Sequence, residues 1–134
     1  MPILPPSYKE DSCVPKQQLR FLVNAYQSLI FNQALNAYID KYNKPYFAAA
    51  PLVGYNTRFT SGIMDNIVKN ICGKESITAA DFRINELMMT CLGGNRQAFI
   101  RLSEIDYTLG RDVKLAFTLP KGSYATVLLR EIQK

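Results

Sequence analysis

The strongest constraint on folding lies between residues 18 and 42. Leu19, Leu22, Val23, Tyr26, Ile30, Ala34 and Ala37 recur there at three- and four-residue spacing, with neither Pro nor Gly in the run. That spacing places apolar side chains on one face of a long helix. A lone helix cannot keep such a face dry, so the rest of the chain must supply a layer to cover it. Asn43, Lys44 and Pro45 end the helical pattern.

The other segments are shorter. Residues 1–17 hold Pro2, Pro5, Pro6 and Pro15 among polar residues and have no period, which predicts an irregular leader. Residues 46–60, with the run Pro51-Leu52-Val53-Gly54-Tyr55, predict a loop or a short buried segment. Ser61 is placed to cap a second helix whose apolar face is Ile63, Met64, Ile67, Val68 and Ile71, with Gly73 as its stop. Thr78 and Asp81 have capping-box spacing, with Ile77 and Phe82 as a hydrophobic staple, so a third helix is expected to start at Thr78 and end before Gly93-Gly94.

Beyond the glycines, residues 97–102 and 105–109 read as extended. Val113, Leu115, Phe117 and Leu119 alternate with Asp112, Lys114, Ala116 and Thr118, the period-two pattern of a strand with one buried face. Pro120-Lys121-Gly122 breaks that strand, Ser123 is placed to cap, and Tyr124, Val127, Leu128 and Ile132 mark a final helix. The expected class is α+β, with helices packed on part of a mixed or antiparallel sheet. A chain of 134 residues suits one domain, expected over residues 18–134.

Sixteen Lys and Arg against eleven Asp and Glu leave a net charge of +5, which favours polyanionic partners without naming one. There is no His, and Cys13, Cys72 and Cys91 are widely spaced, so zinc ligation, a disulfide framework and Ser-His or Cys-His catalysis lack their residues. The thiols read as buried and reduced. No apolar run is long enough to span a bilayer and the start has no signal-peptide pattern, so the expected compartment is the cytoplasm.

One string is distinctive. Leu119-Pro120-Lys121-Gly122-Ser123-Tyr124-Ala125-Thr126-Val127-Leu128-Leu129-Arg130-Glu131 resembles the C-terminal signature of TruD-type RNA pseudouridine synthases, in a spelling similar to archaeal members. Upstream, Ala25-Tyr26-Gln27-Ser28-Leu29-Ile30-Phe31-Asn32 and Pro51-Leu52-Val53-Gly54-Tyr55 resemble two further family elements in the family's order. The resemblance covers roughly residues 19–134. It implies the C-terminal portion of a synthase catalytic domain and a role in isomerising uridine to pseudouridine in RNA, tRNA foremost, without cofactor or metal. It also implies that the nucleophilic aspartate and its basic partner belong to an N-terminal part, because Asp11, Asp40, Asp65, Asp81, Asp106 and Asp112 match none of those motifs. The chain alone is therefore expected to be inactive. Two other arrangements fit the same residues: one subunit of a split synthase, and a non-catalytic RNA-binding module that keeps the fold.

By that resemblance Tyr124 is the aromatic residue lining the uridine pocket; by residue type alone it reads as core beside Val127 and Leu128. Gly122 and Ser123 shape a turn that either meets substrate or only caps the helix. Thr126 fits substrate contact or a local backbone bond, and Arg130 fits RNA or a structural ion pair. Asn32 lies off the helical stripe and either orients catalytic groups or faces solvent. Lys41, Lys44, Arg58, Arg96, Arg101 and Lys121 are candidate phosphate contacts or scattered surface cations. A sheet edge left open where a missing half would pair predicts self-association.

Overall fold

The computed structural model describes residues 15–134. These divide into two compact units, one up to Ala98 and one from Phe99 to Lys134, where a single domain was expected. Each buries what its own elements allow.

In the first unit, α1 (Lys16–Tyr42) starts two residues earlier than expected. The Pro15 carbonyl accepts the Gln18 and Leu19 amides at 2.9 and 3.2 Å, and Asn43 closes the far end in the left-handed conformation. The buried stripe is Leu19, Val23, Gln27, Ile30, Phe31, Ala34 and Tyr38; Leu22 and Ala37 are exposed. α1 packs on β1 (Ala49–Leu52) and α2 (Ile63–Lys74), and α2 also touches β1.

α2 is capped differently from expectation. Gly62 is the N-cap residue rather than Ser61, and the Asp65 carboxylate reaches back to accept the Thr60 amide at 3.3 Å. Gly73 lies inside the helix. The stop comes from Ser76 at φ 55, with the Ser76 amide on the Gly73 carbonyl at 3.2 Å and the Ile77 amide on the Cys72 carbonyl at 2.9 Å, the paired bonds of a Schellman ending.

The expected third helix is absent from the described residues. Thr78 and Asp81 do pair, the Thr78 amide donating to the Asp81 carboxylate at 2.7 Å, but they open only a 3-10 turn over Ala79–Phe82. A hairpin follows, β2 (Arg83–Ile84) with β3 (Met89–Thr90), bridged by a second 3-10 turn, Asn85–Leu87, and by Met88 at φ 48. Phe82 and Met89, both fully buried, anchor the hairpin, and the Cys91 amide donates to the Phe82 carbonyl at 2.8 Å, a bond that a continuous α-helix through this span would not make.

β4 (Gly94–Gln97) then pairs antiparallel with β1, Ala49 opposite Gln97 and Leu52 opposite Gly94. The stretch read as loop or buried segment is therefore partly a strand. A two-stranded ribbon consists of edges, which is why Pro51 is tolerated within it.

The second unit is a hairpin followed by a helix. β5 (Ser103–Thr108) pairs antiparallel with β6 (Lys114–Thr118), with a register irregularity between Ser103 and Asp106 where Glu104 takes φ 57. Leu115 and Phe117 alternate inward as expected, yet both are only half-buried, and no residue from 99 to 134 is fully buried. α3 (Ala125–Ile132) ends the chain. All three strand pairs are antiparallel and separate, giving an α+β fold. No helix among the described residues is long and apolar enough to cross a membrane.

Candidate functional site

The distinctive string of residues 119–131 forms one structural device, the turn from β6 into α3. The Ser123 amide donates to the Pro120 carbonyl at 3.1 Å, closing a turn with Gly122 at φ 89. Space does not demand glycine there, since an added Cβ would meet nothing within 4 Å; the backbone angle does. Ser123 is not the N-cap. That position is Tyr124, extended at φ −107 and ψ 115, and its carbonyl accepts the Val127 amide at 3.2 Å.

Consequently the Tyr124 ring leaves the chain at the first turn of α3, and it is 75% exposed. It is not packed as core beside Val127 and Leu128. Thr126 is exposed one step further on, and so is Arg130. Among the described residues Arg130 forms no ion pair; the adjacent Glu131 carboxylate instead takes Lys134 at 2.6 Å. Five of the six residues singled out in the sequence thus share one turn and one short helix. Asn32 does not: it is an exposed residue of α1, in the first unit.

The second unit leaves several large apolar side chains in solvent. Tyr107, Val113, Val127 and Ile132 are all more than half exposed, on a helix and hairpin with strongly apolar faces.

In the first unit two features escaped the sequence reading. Gln27 is 3% exposed, and its side-chain amide donates to the Val53 carbonyl at 2.8 Å and the Leu92 carbonyl at 3.1 Å. Its position within the core stripe of α1, between Val23 and Ile30, was the available signal. Gly54 and Gly93 form the second feature: their backbones cross so closely that an added Cβ on Gly54 would lie 2.5 Å from the Gly93 Cα. The Tyr55 amide donates to the Cys91 carbonyl at 2.9 Å and the Gly93 amide to Asn56 Oδ1 at 2.8 Å, binding the two segments together.

The candidate cations Lys41, Lys44, Arg58, Arg96, Arg101 and Lys121 are all exposed. Arg96 lies 5.2 Å from the centre of the Phe31 ring and Lys41 5.3 Å from that of Tyr42. Cys72 and Cys91 are free and buried, and burial raises the Cys72 thiol pKa; Cys13 lies outside the described residues. Among the described residues no three His, Cys, Asp or Glu side chains are grouped to hold a metal ion.

A family model, tRNA pseudouridine synthase D (TruD), matches residues 43–132. The "Probable tRNA pseudouridine synthase D 1" of Methanocaldococcus jannaschii is 33% identical over 135 residues, covering 93% of this chain and 34% of that protein. The corresponding Pyrobaculum arsenaticum protein is 32% identical over 144 residues, covering 90% of this chain and 35% of its own length. A solved structure of a TruD-assigned protein from Methanosarcina mazei superposes with a TM-score of 0.72 at 25% identity, covering 88% of this chain and 38% of its own. The chain spans about a third of the length of the curated relatives it matches. With two-thirds of its residues under the family model and its fold matched in a solved member, the chain belongs to the tRNA pseudouridine synthase D (TruD) family.

Proposed function

We propose that the chain contributes the C-terminal portion of an RNA pseudouridine synthase, with Tyr124 as one wall of the uridine pocket. The observation that carries this reading is the turn at residues 120–124, which holds an aromatic ring in solvent at the start of α3 inside the family's signature. An exposed ring at a rigid turn is suited to stacking on a base withdrawn from its helix. Gly122 and Ser123 set the path of the turn, and Thr126 and Arg130 flank it with a hydroxyl and a cation. The substrate is RNA, with tRNA foremost because the relatives carry that name.

Isomerisation breaks the C1′–N1 bond of uridine, forms C1′–C5, and passes the C5 hydrogen to solvent while N1 takes up a proton. The reading assigns the nucleophilic aspartate to the part of the synthase that the matched relatives have and these 134 residues do not. That part is the occupant we assign to the exposed apolar side chains of the second unit. Tritium release from RNA labelled at uridine C5 tests the assignment. The pure chain should release none, and addition of the preceding part of an archaeal relative should restore release. Release by the pure chain would sink the assignment. So would a reconstituted pair that stays silent although the two parts associate. In sedimentation, the chain alone should self-associate through the same side chains; a monodisperse monomer would show them to be no docking surface.

A further inference from the structure

The loop after β1, the start of α2 and the β4 strand border an open cavity of about 380 Å3, most of whose lining side chains are polar. Several of its hydrogen-bond acceptors are already engaged. Thr57 Oγ1 accepts the Gly54 amide at 2.8 Å, Asn56 Oδ1 accepts the Gly93 amide at 2.8 Å, and Asp65 Oδ1 accepts the Thr60 amide at 3.3 Å. Thr60 Oγ1 accepts the Gly62 amide at 3.4 Å.

Donors remain. With its oxygen bound to backbone, the Asn56 amide cannot usefully flip, so its NH2 is the group left to offer. Asn95 lies opposite Pro51 in the ribbon and lines the same cavity, whereas the next residue, Arg96, turns to the other face and covers Phe31. Arg58 supplies a guanidinium that, among the described residues, has neither hydrogen bond nor ion pair.

The lining is charge-balanced, Arg58 against Asp65, so this is no simple anion trap. A ligand suited to it carries one negative charge beside several neutral acceptors. We propose that this cavity holds one ribose–phosphate unit of single-stranded RNA, a contact separate from the uridine pocket: Arg58 takes the phosphodiester, and the amides of Asn56 and Asn95 take sugar and base oxygens. The inference rests on the RNA reading above. Its scaffold is rigid because the Gly54–Gly93 crossing fixes the loop that bears Asn56 and Arg58.

The test uses the full chain and a labelled oligouridine, with binding followed by fluorescence anisotropy over a range of salt. Arg58→Ala should weaken binding about fivefold and lower the salt slope by about 0.7, the loss of one single-strand phosphate contact. Asn56→Asp keeps an oxygen for the Gly93 amide while removing the donor, and should weaken binding by about as much. Both should melt with the unaltered chain, and should Asn56→Asp not fold, Arg58→Ala decides alone because its side chain supports nothing. Variants that bind as tightly and with the same salt slope as the unaltered chain would overturn the cavity while leaving the RNA reading intact. An unaltered chain that binds no RNA would overturn both.

Discussion

Gly54→Ala should unfold the first unit at a much lower temperature, because the new methyl has no room. Its Cβ would overlap the Gly93 nitrogen and the Leu92 carbonyl carbon and lie 2.5 Å from the Gly93 Cα, all of them backbone atoms that no rotamer change can clear. Carbon atoms rest near 3.5–4.0 Å, so the segments must part by about 1 Å. That displacement stretches the Tyr55–Cys91 and Gly93–Asn56 bonds and the two made by Gln27, which are now 2.8–3.1 Å long, past a useful length. Loss of two or three such bonds at about 1 kcal/mol each, with about 1–3 kcal/mol of overpacking, comes to roughly 4 kcal/mol. For a unit of this size that is a fall in Tm of roughly 15–30 °C. Gly94→Ala is the control: an added Cβ there meets nothing within 4 Å, so its effect should stay within about 0.5 kcal/mol. Thermal melts followed by far-UV circular dichroism compare the two. Equal melting of Gly54→Ala and the unaltered chain, or equal damage from both substitutions, would refute the steric reasoning.

Two further outcomes follow from the same unit. Gln27→Leu keeps the volume of the core but strands the Val53 and Leu92 carbonyls, so urea unfolding should show a loss of about 2–3 kcal/mol; no loss would mean that water replaces the amide. The Tyr26 phenol is raised above 10.0 by burial and then by Glu75, so the folded state holds that proton longer than the unfolded state. Its stabilising contribution is complete below the unfolded value and disappears as pH rises through the folded one. The urea midpoint of the unaltered chain should therefore fall more between about pH 8 and about pH 11 than that of Tyr26→Phe. Parallel profiles would contradict it.

Much of this architecture was legible. An uninterrupted helical period announced α1, alternation announced β6, and Pro120-Lys121-Gly122 announced the turn that presents Tyr124. The reading failed where local signals have two outcomes. Thr78 and Asp81 satisfy each other equally well at the head of a 3-10 turn, and the chain then closes a hairpin, with the Cys91 amide on the Phe82 carbonyl at 2.8 Å and Met88 in the left-handed conformation, a pairing that no local pattern announced. Gly62 rather than Ser61 takes the N-cap position with no side-chain bond to the helix amides, while the Asp65 carboxylate ties down the Thr60 amide just ahead of the helix. The β1–β4 ribbon was hidden by Pro51 at one side and Gly94 at the other, residues whose propensities speak against strands. In the candidate site, the string at 119–131 marked five residues by sequence alone. The buried amide of Gln27 depends on contacts 26 and 65 residues away in the chain, which no local pattern encodes.

The claim that matters most is that Tyr124 stacks on the target base. Its direct test is the turnover of Tyr124→Ala and Tyr124→Phe in the reconstituted two-part enzyme, measured as tritium release from uridine labelled at C5. Stacking on an aromatic ring is worth about 1–3 kcal/mol, so Tyr124→Ala should lose roughly 5- to 150-fold while Tyr124→Phe stays within about threefold of the unaltered chain. Tyr124→Ala turning over like the unaltered chain would contradict the account, and the exposed ring at the start of α3 would then need another purpose.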